Sequence, residues 1–305
     1  MKKVFKQILR ATGFFGIYFG AQLTAYMILS VGCGIVAGVK IGMTGVTDYA
    51  AAVAYQEELY YGNIGIALIL NVILALGVYL IIFAARKVNP FKQVDLKKIT
   101  VPDVLFTVAG GIGSLLFMNL IMNIIPFPET VFDDFLQTTQ LFDGYPLWQA
   151  ILSNVILIPI LEEVVFRGLI FGRLRRAMPS IVAALIASAV FGLMHAHPIW
   201  MIWAFAVGMI INYARIRTGS ILPGIIIHMM INGFGVLANY STLLNGMTDA
   251  VGFTLLATGG VLLVVYFVGI TIVTKKEKAA GLIGEEPQLV DEDKKKEKEV
   301  SAVVL

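Results

Sequence analysis

Three short stretches hold side chains whose types and spacing could run a hydrolysis. The first, Pro159-Ile-Leu-Glu-Glu-Val-Val-Phe-Arg-Gly168, contains Glu162, Glu163 and Arg167. The second, Phe191-Gly-Leu-Met-His-Ala-His197, contains His195 and His197. The third, His228-Met-Met-Ile-Asn232, pairs an imidazole with a carboxamide, and the chain's 3 histidines all fall within this set. On a helix Glu163 and Arg167 stand one turn apart on a common face, so they can pair. Pairing lowers the cost of holding both charges away from water. Glu162 points about 100° away around the helix, free for another task. His228 and Asn232 also stand one turn apart and project into a common space. A carboxylate to take a proton from water, an imidazole to orient that water and donors for an oxyanion make a minimal hydrolytic set.

The elements that must position these groups are membrane helices. Of the 305 residues, 58% are hydrophobic and 14% are charged, against about 25% charged in soluble domains. Ionisable groups inside a bilayer are costly and default to functional sites. A spanning helix needs about 20 mainly apolar residues. Eight stretches qualify, at 14–38, 64–84, 104–125, 149–171, 180–196, 199–214, 220–238 and 251–273. The expected fold is therefore all-α, a polytopic membrane helical bundle of about eight transmembrane helices. The fifth and sixth stretches are short and separated only at His197-Pro198, so a single broken element competes there. If the fifth were a full span, His195 would sit roughly 10 Å in height from Glu162 and His228, at about 1.5 Å per residue.

Lys and Arg cluster in alternate loops. They are Lys2, Lys3, Lys6 and Arg10; Arg86, Lys87, Lys92, Lys97 and Lys98; Arg173, Arg175 and Arg176; Arg215 and Arg217; and Lys275, Lys276 and Lys278. The third loop has none and carries Glu129, Asp133, Asp134 and Asp143. The positive-inside rule then predicts both termini in the cytoplasm and a multi-pass protein of the cell membrane. Cation clusters beside apolar runs suit topology better than nucleic-acid binding. The expected organisation is N-terminal helices and loops at 1–148, a core of helices at 149–240, a last helix at 241–274 and a charged, disordered tail at 275–305. Residues 49–63 read as an interfacial loop or short helix. Gly16, Gly20, Gly32, Gly34 and Gly38 suggest close helix packing. Cys33 reads as a small buried side chain. The one cysteine excludes a disulfide within the chain.

The motifs Glu-Glu-x-x-x-Arg, Phe-x-x-x-His and His-x-x-x-Asn on successive membrane helices resemble the CPBP family. That family includes type II CAAX prenyl endopeptidases and bacterial bacteriocin-processing or immunity (Abi-like) membrane proteases. The likeness covers about 145–240. It implies that Glu162 and His195 activate a water, that His228 and Asn232 form an oxyanion hole, and that Glu163, Arg167 and Phe191 support the site. It implies an endopeptidase acting on a membrane-associated, lipidated or bacteriocin-type peptide, or on a membrane protein, within the bilayer. Such families are often labelled metalloproteases, and Glu162, His195 and His228 would be the zinc ligands. The resemblance favours no cofactor, with zinc as the alternative. Glu163–Arg167 as a structural lock and Asn232 as interhelical glue stay open. So do a non-catalytic immunity or scaffold protein and a proton-coupled transporter. The absence of a visible inverted repeat weakens the last. Oligomeric state and substrate identity are not legible.

Overall fold

A computed structural model of the chain describes residues 2–44, 49–140, 145–240 and 248–281. The described residues are helical and contain no strand. In chain order α1 is Lys2–Thr44, α2 Tyr49–Tyr61, α3 Ile64–Ala85, α4 Pro90–Gln93, α5 Val101–Ile124 and α6 Glu129–Gln140. A composite helix follows, built from α7 (Leu147–Ala150), α8 (Ile158–Glu162) and α9 (Phe171–Leu174) joined by π-helical segments Ile151–Leu157 and Glu163–Ile170. Then come α10 (Ser180–Leu193), α11 (Pro198–Thr218), α12 (Leu222–Asn239) and α13 (Asp249–Ala279). The protein is a polytopic helical bundle and an integral membrane protein. By length and composition α1, α3, α5, α11 and α13 can each cross a bilayer, while α10 and most of α12 are shorter apolar helices. With the composite helix these match the eight stretches expected from sequence. Large apolar side chains such as Ile81, Val264 and Val268 point outward, as a lipid solvent permits.

Local chemistry sets the helix ends. Thr100 accepts from the Asp103 backbone N–H while the Asp103 carboxylate accepts from Thr100, a reciprocal cap that starts α5. His197 caps α11, its Nδ1 accepting from the Ile199 N–H at 3.2 Å with Pro198 in the first turn. Gly219 ends that helix at φ 69°, a conformation that favours glycine.

Some of these expectations are met and others are corrected. The fourth span is not one regular α-helix, because π-helical segments interrupt it on both sides of α8. Apolar periodicity does not report such a change of register. Residues 180–193 and 198–218 are separate helices, and α10 with its 14 residues rises only about 21 Å, short of the ~30 Å hydrocarbon core. His195, just past its end, lines one cavity together with Glu162, so the two are not held apart as a full fifth span would hold them. α13 continues to Ala279, past the expected tail boundary; Lys276 and Lys278 in its last turn favour a helix C-terminus. Residues 282–305 lie outside the described residues, as does Asp143. Residues 49–61 form α2. Cys33 is buried.

The glycine reading also changes. A Cβ at Gly16, Gly20, Gly32 or Gly38 would meet nothing within 4 Å, and at Gly34 only the Gln56 side chain at 3.6 Å. Close packing occurs instead between α5 and α13. There a Cβ on Gly113 would lie 2.8 Å from Leu263 N, and one on Gly259 would lie 2.6 Å from Phe117 N. Glycine spacing on one helix cannot say which face meets a neighbour.

Three apolar clusters form among the described residues, and two of them are large. One unites Phe14, Tyr18, Tyr79, Phe83, Phe166 and Phe191 from α1, α3, the composite helix and α10. The other unites Met118, Ile211, Ile227, Ile231 and Tyr266 from α5, α11, α12 and α13.

Candidate active site

The composite helix explains the local geometry. The Ile158 N–H reaches back to Ser153 O, a five-residue step. In that register the next residue, Pro159, would bond Asn154 O, but proline has no N–H. The carbonyl is taken up by α12: Asn232 Nδ2 donates to Asn154 O at 2.9 Å. A proline one turn before the carboxylates thus couples the composite helix to the His228–Asn232 helix. π segments of this kind recur at functional sites.

Glu162 and Glu163 diverge from there. Glu163 is fully buried and accepts from Arg167 Nη1 at 2.8 Å on its Oε1. The same oxygen faces His228 Nδ1 at 3.1 Å. Gly224 makes room for it, since a Cβ there would lie 2.5 Å from Glu163 Oε2. Arg167 lies over the Phe191 ring at 4.5 Å and beside Gly208, where a Cβ would approach its Nη2 to 3.2 Å. Phe191 stands edge-on to both imidazoles, with ring centroids 4.9 Å from His195 and 5.8 Å from His228.

Glu162 faces the other way, toward a cavity of about 1040 Å³ that it lines together with Tyr18, Asn154, His195 and Asn232. It is not the unpartnered carboxylate expected. Tyr18 of α1 donates to its Oε1 at 2.9 Å, and His228 Nε2 lies 3.6 Å from its Oε2. His228 thus stands between the two carboxylates. His195 Nδ1 is 2.9 Å from Phe191 O; a carbonyl only accepts, so that nitrogen carries the proton. The neutral ring then has a bare Nε2. Glu162 is also among the electrostatic neighbours of His195. Asn232 spends one amide hydrogen on Asn154 and retains a second.

The turn after α10 is built tightly. Ala196 has φ 59°, a left-handed conformation that costs a residue with a Cβ about 1–2 kcal/mol. His197, just before Pro198, is buried. Its Nε2 lies 3.4 Å from Asp134 of α6, and its ring lies 5.5 Å from Phe135.

Glu162, Glu163, Arg167, Phe191, His195, His228 and Asn232 therefore converge. Tyr18 and Asn154 were missed by sequence reasoning. Tyr18 sits in an apolar stretch with no partner within a helical turn. The contribution of Asn154 is a backbone carbonyl, invisible in residue type, although Pro159 five positions later marks it. As for zinc, no group of three or more His, Cys, Asp or Glu among the described residues is arranged to hold a metal ion. Glu162 Oε1, His195 Nδ1 and His228 Nδ1 already face Tyr18, the Phe191 carbonyl and Glu163. Glu162 Oε2 and the Nε2 atoms of His195 and His228 are the atoms left that would hold zinc.

Comparison with known proteins fits this geometry. Residues 144–234 match the model of the family described as Type II CAAX prenyl endopeptidase Rce1-like. Every converging residue except Tyr18 falls inside that segment. The chain is 33% identical over 113 residues, 37% of its own length and 46% of the relative's, to Putative membrane peptidase YdiL of Bacillus subtilis (strain 168). It is 38% identical over 85 residues, 26% of its own length and 34% of the relative's, to Membrane-embedded CAAX protease MroQ of Staphylococcus aureus (strain USA300). The chain spans less than half the length of these curated relatives. No solved structure matches.

Proposed function

We propose that the protein is an intramembrane endopeptidase that cleaves a membrane-associated peptide or a membrane protein with a water activated at Glu162. The observation that carries this reading is that Glu162, on the wall of one cavity, meets the imidazoles of both His195 and His228. Its Oε2 lies 3.6 Å from His228 Nε2, and His195 and Asn232 line the same space. Glu162 takes a proton from the water as its oxygen bonds to the peptide carbonyl carbon. The bare Nε2 of His195 orients that water. The carbonyl oxygen gains negative charge, and the second amide hydrogen of Asn232 donates to it beside the Nε2–H of a His228 ring that carries a proton on both nitrogens, its Nδ1–H facing Glu163. The proton on Glu162 then passes to the peptide nitrogen, and the C–N bond breaks. Glu163 and Arg167 position His228 and bear no part of the bond changes.

This reaction uses no metal. Stoichiometric zinc in purified protein, with cleavage abolished by a chelator and restored by zinc, would overturn that assignment. Tyr18 and the aromatic walls suit an apolar substrate segment. The cation pattern supports cytoplasmic termini and a place in the cell membrane, with lipid as the solvent. Comparative membrane proteomics of cells carrying wild type or Glu162→Gln tests the reading. Uncut membrane-associated precursors should accumulate only in the variant. Identical proteomes, with both proteins present at equal levels, would reject it.

A further inference from the structure

The ends of α1, α3 and α9 bring cations together in a way that topology alone does not require. Arg173 on α9 is nine-tenths buried, 9% exposed, and lies 5.7 Å over the Phe14 ring of α1. Phe14 packs 6.4 Å from Phe83 of α3. Arg10 stands one helical turn before Phe14, and Arg86 follows Phe83 by three residues. Both are exposed, and with Arg176 they are the electrostatic neighbours of Arg173; no carboxylate is among them. The Nε of Arg173 is buried without a hydrogen-bond partner among the described residues.

The adjacent arginines show what an internal solution looks like. Arg175 and Arg215 both reach Asp95 Oδ2, at 3.0 and 2.6 Å. No such carboxylate is paired with Arg10, Arg86, Arg173 or Arg176 among the described residues. Leaving a buried guanidinium beside three like charges is costly unless an anion completes the set. The positive-inside rule needs cations near the membrane surface; it needs neither burial nor convergence.

We propose that Arg10, Arg86, Arg173 and Arg176 form a binding site for a phosphate group. The fork of a guanidinium matches phosphate oxygens. The Phe14–Phe83 floor and the position at the end of an apolar bundle suit the phosphodiester of an anionic lipid. Free phosphate presents the same oxygens. This site is distant in chemistry from the carboxylate–imidazole set and does not depend on the peptidase reading.

Native mass spectrometry of the full chain, released from vesicles of phosphatidylcholine mixed with phosphatidylglycerol, tests the proposal. Wild type should retain phosphatidylglycerol preferentially. Arg173→Gln should weaken retention by about fivefold, the scale of one basic residue at an anionic surface. Because Arg173 is buried, Arg10→Gln/Arg86→Gln, which alters exposed positions, serves as the second variant and should weaken it further. Displacement by millimolar inorganic phosphate would assign the site to free phosphate, and resistance to it would assign the site to the lipid. Retention that is equal for the two lipids, or unchanged in the folded double variant, would overturn the proposal.

Discussion

Adjacent glutamates do different work here because their partners differ. Glu163 is consumed by Arg167 and His228, whereas Glu162 faces the cavity with a tyrosine hydroxyl on one oxygen. The Tyr18 bond holds that carboxylate in place without neutralising it. Hydrogen bonds to charged groups contribute about 1.5–3 kcal/mol, so Tyr18→Phe should slow cleavage by about tenfold or more. Its thermal unfolding midpoint should fall by only a few degrees, about 2–4 °C per kcal/mol lost, because the ring packing survives. Unchanged kcat/KM in that variant would remove Tyr18 from the site. The carboxylates, the imidazoles and the Glu163–Arg167 pair were legible in the sequence, because each is an ionisable residue in an apolar stretch or pairs within one turn. Tyr18 was not, because it acts across 144 residues of chain.

At the scale of elements, the composite helix makes the site. Its first π segment and Pro159 leave one carbonyl for Asn232, which ties α12 to the carboxylate helix. Pro159→Ala supplies an N–H that competes for that carbonyl. Activity should fall several-fold, while stability holds or rises through improved helix propensity, by up to ~3 kcal/mol. Paired denaturation and cleavage measurements check this; activity equal to wild type would mean that the proline does no more than bend the helix. Hydropathy located this element and the other spans, since lipid demands long apolar helices. The π segments escaped it because they change hydrogen-bond register and leave residue types alone. α10 was drawn too long because apolarity continues into the turn that strained Ala196 terminates.

At the scale of the whole molecule, a short loop holds distant helices together. Ile221 N donates to Asp95 O at 3.2 Å, and the Asp95 carboxylate receives Arg175 and Arg215. Burial pushes that carboxyl up, but Arg215, Lys97 and Arg175 outweigh it and hold it below its ordinary value. Its folded-state pKa is therefore below the unfolded one. The stability it adds is fully present above about pH 4, the ordinary carboxylate value, and is lost as pH falls through the lower folded value. Asp95→Asn should lower stability at neutral pH by about 2 kcal/mol, as Arg175 and Arg215 lose the negative charge they share. The difference from wild type should narrow in acid. A constant difference between pH 7 and pH 3 would contradict the assignment. The cation-rich loops signalled this region in the sequence. Which arginine meets Asp95 and which meets none was decided only by the packing.

The measurement closest to the central claim is turnover by Glu162→Gln beside wild type in proteoliposomes, with a substrate that wild type cuts. The substitution keeps size and hydrogen bonding while removing the base, and losing a positioned general base costs about 10²–10⁴-fold. We expect kcat to fall by at least that lower bound while the unfolding midpoint is retained. A folded Glu162→Gln protein that cleaves at the wild-type rate would contradict the account.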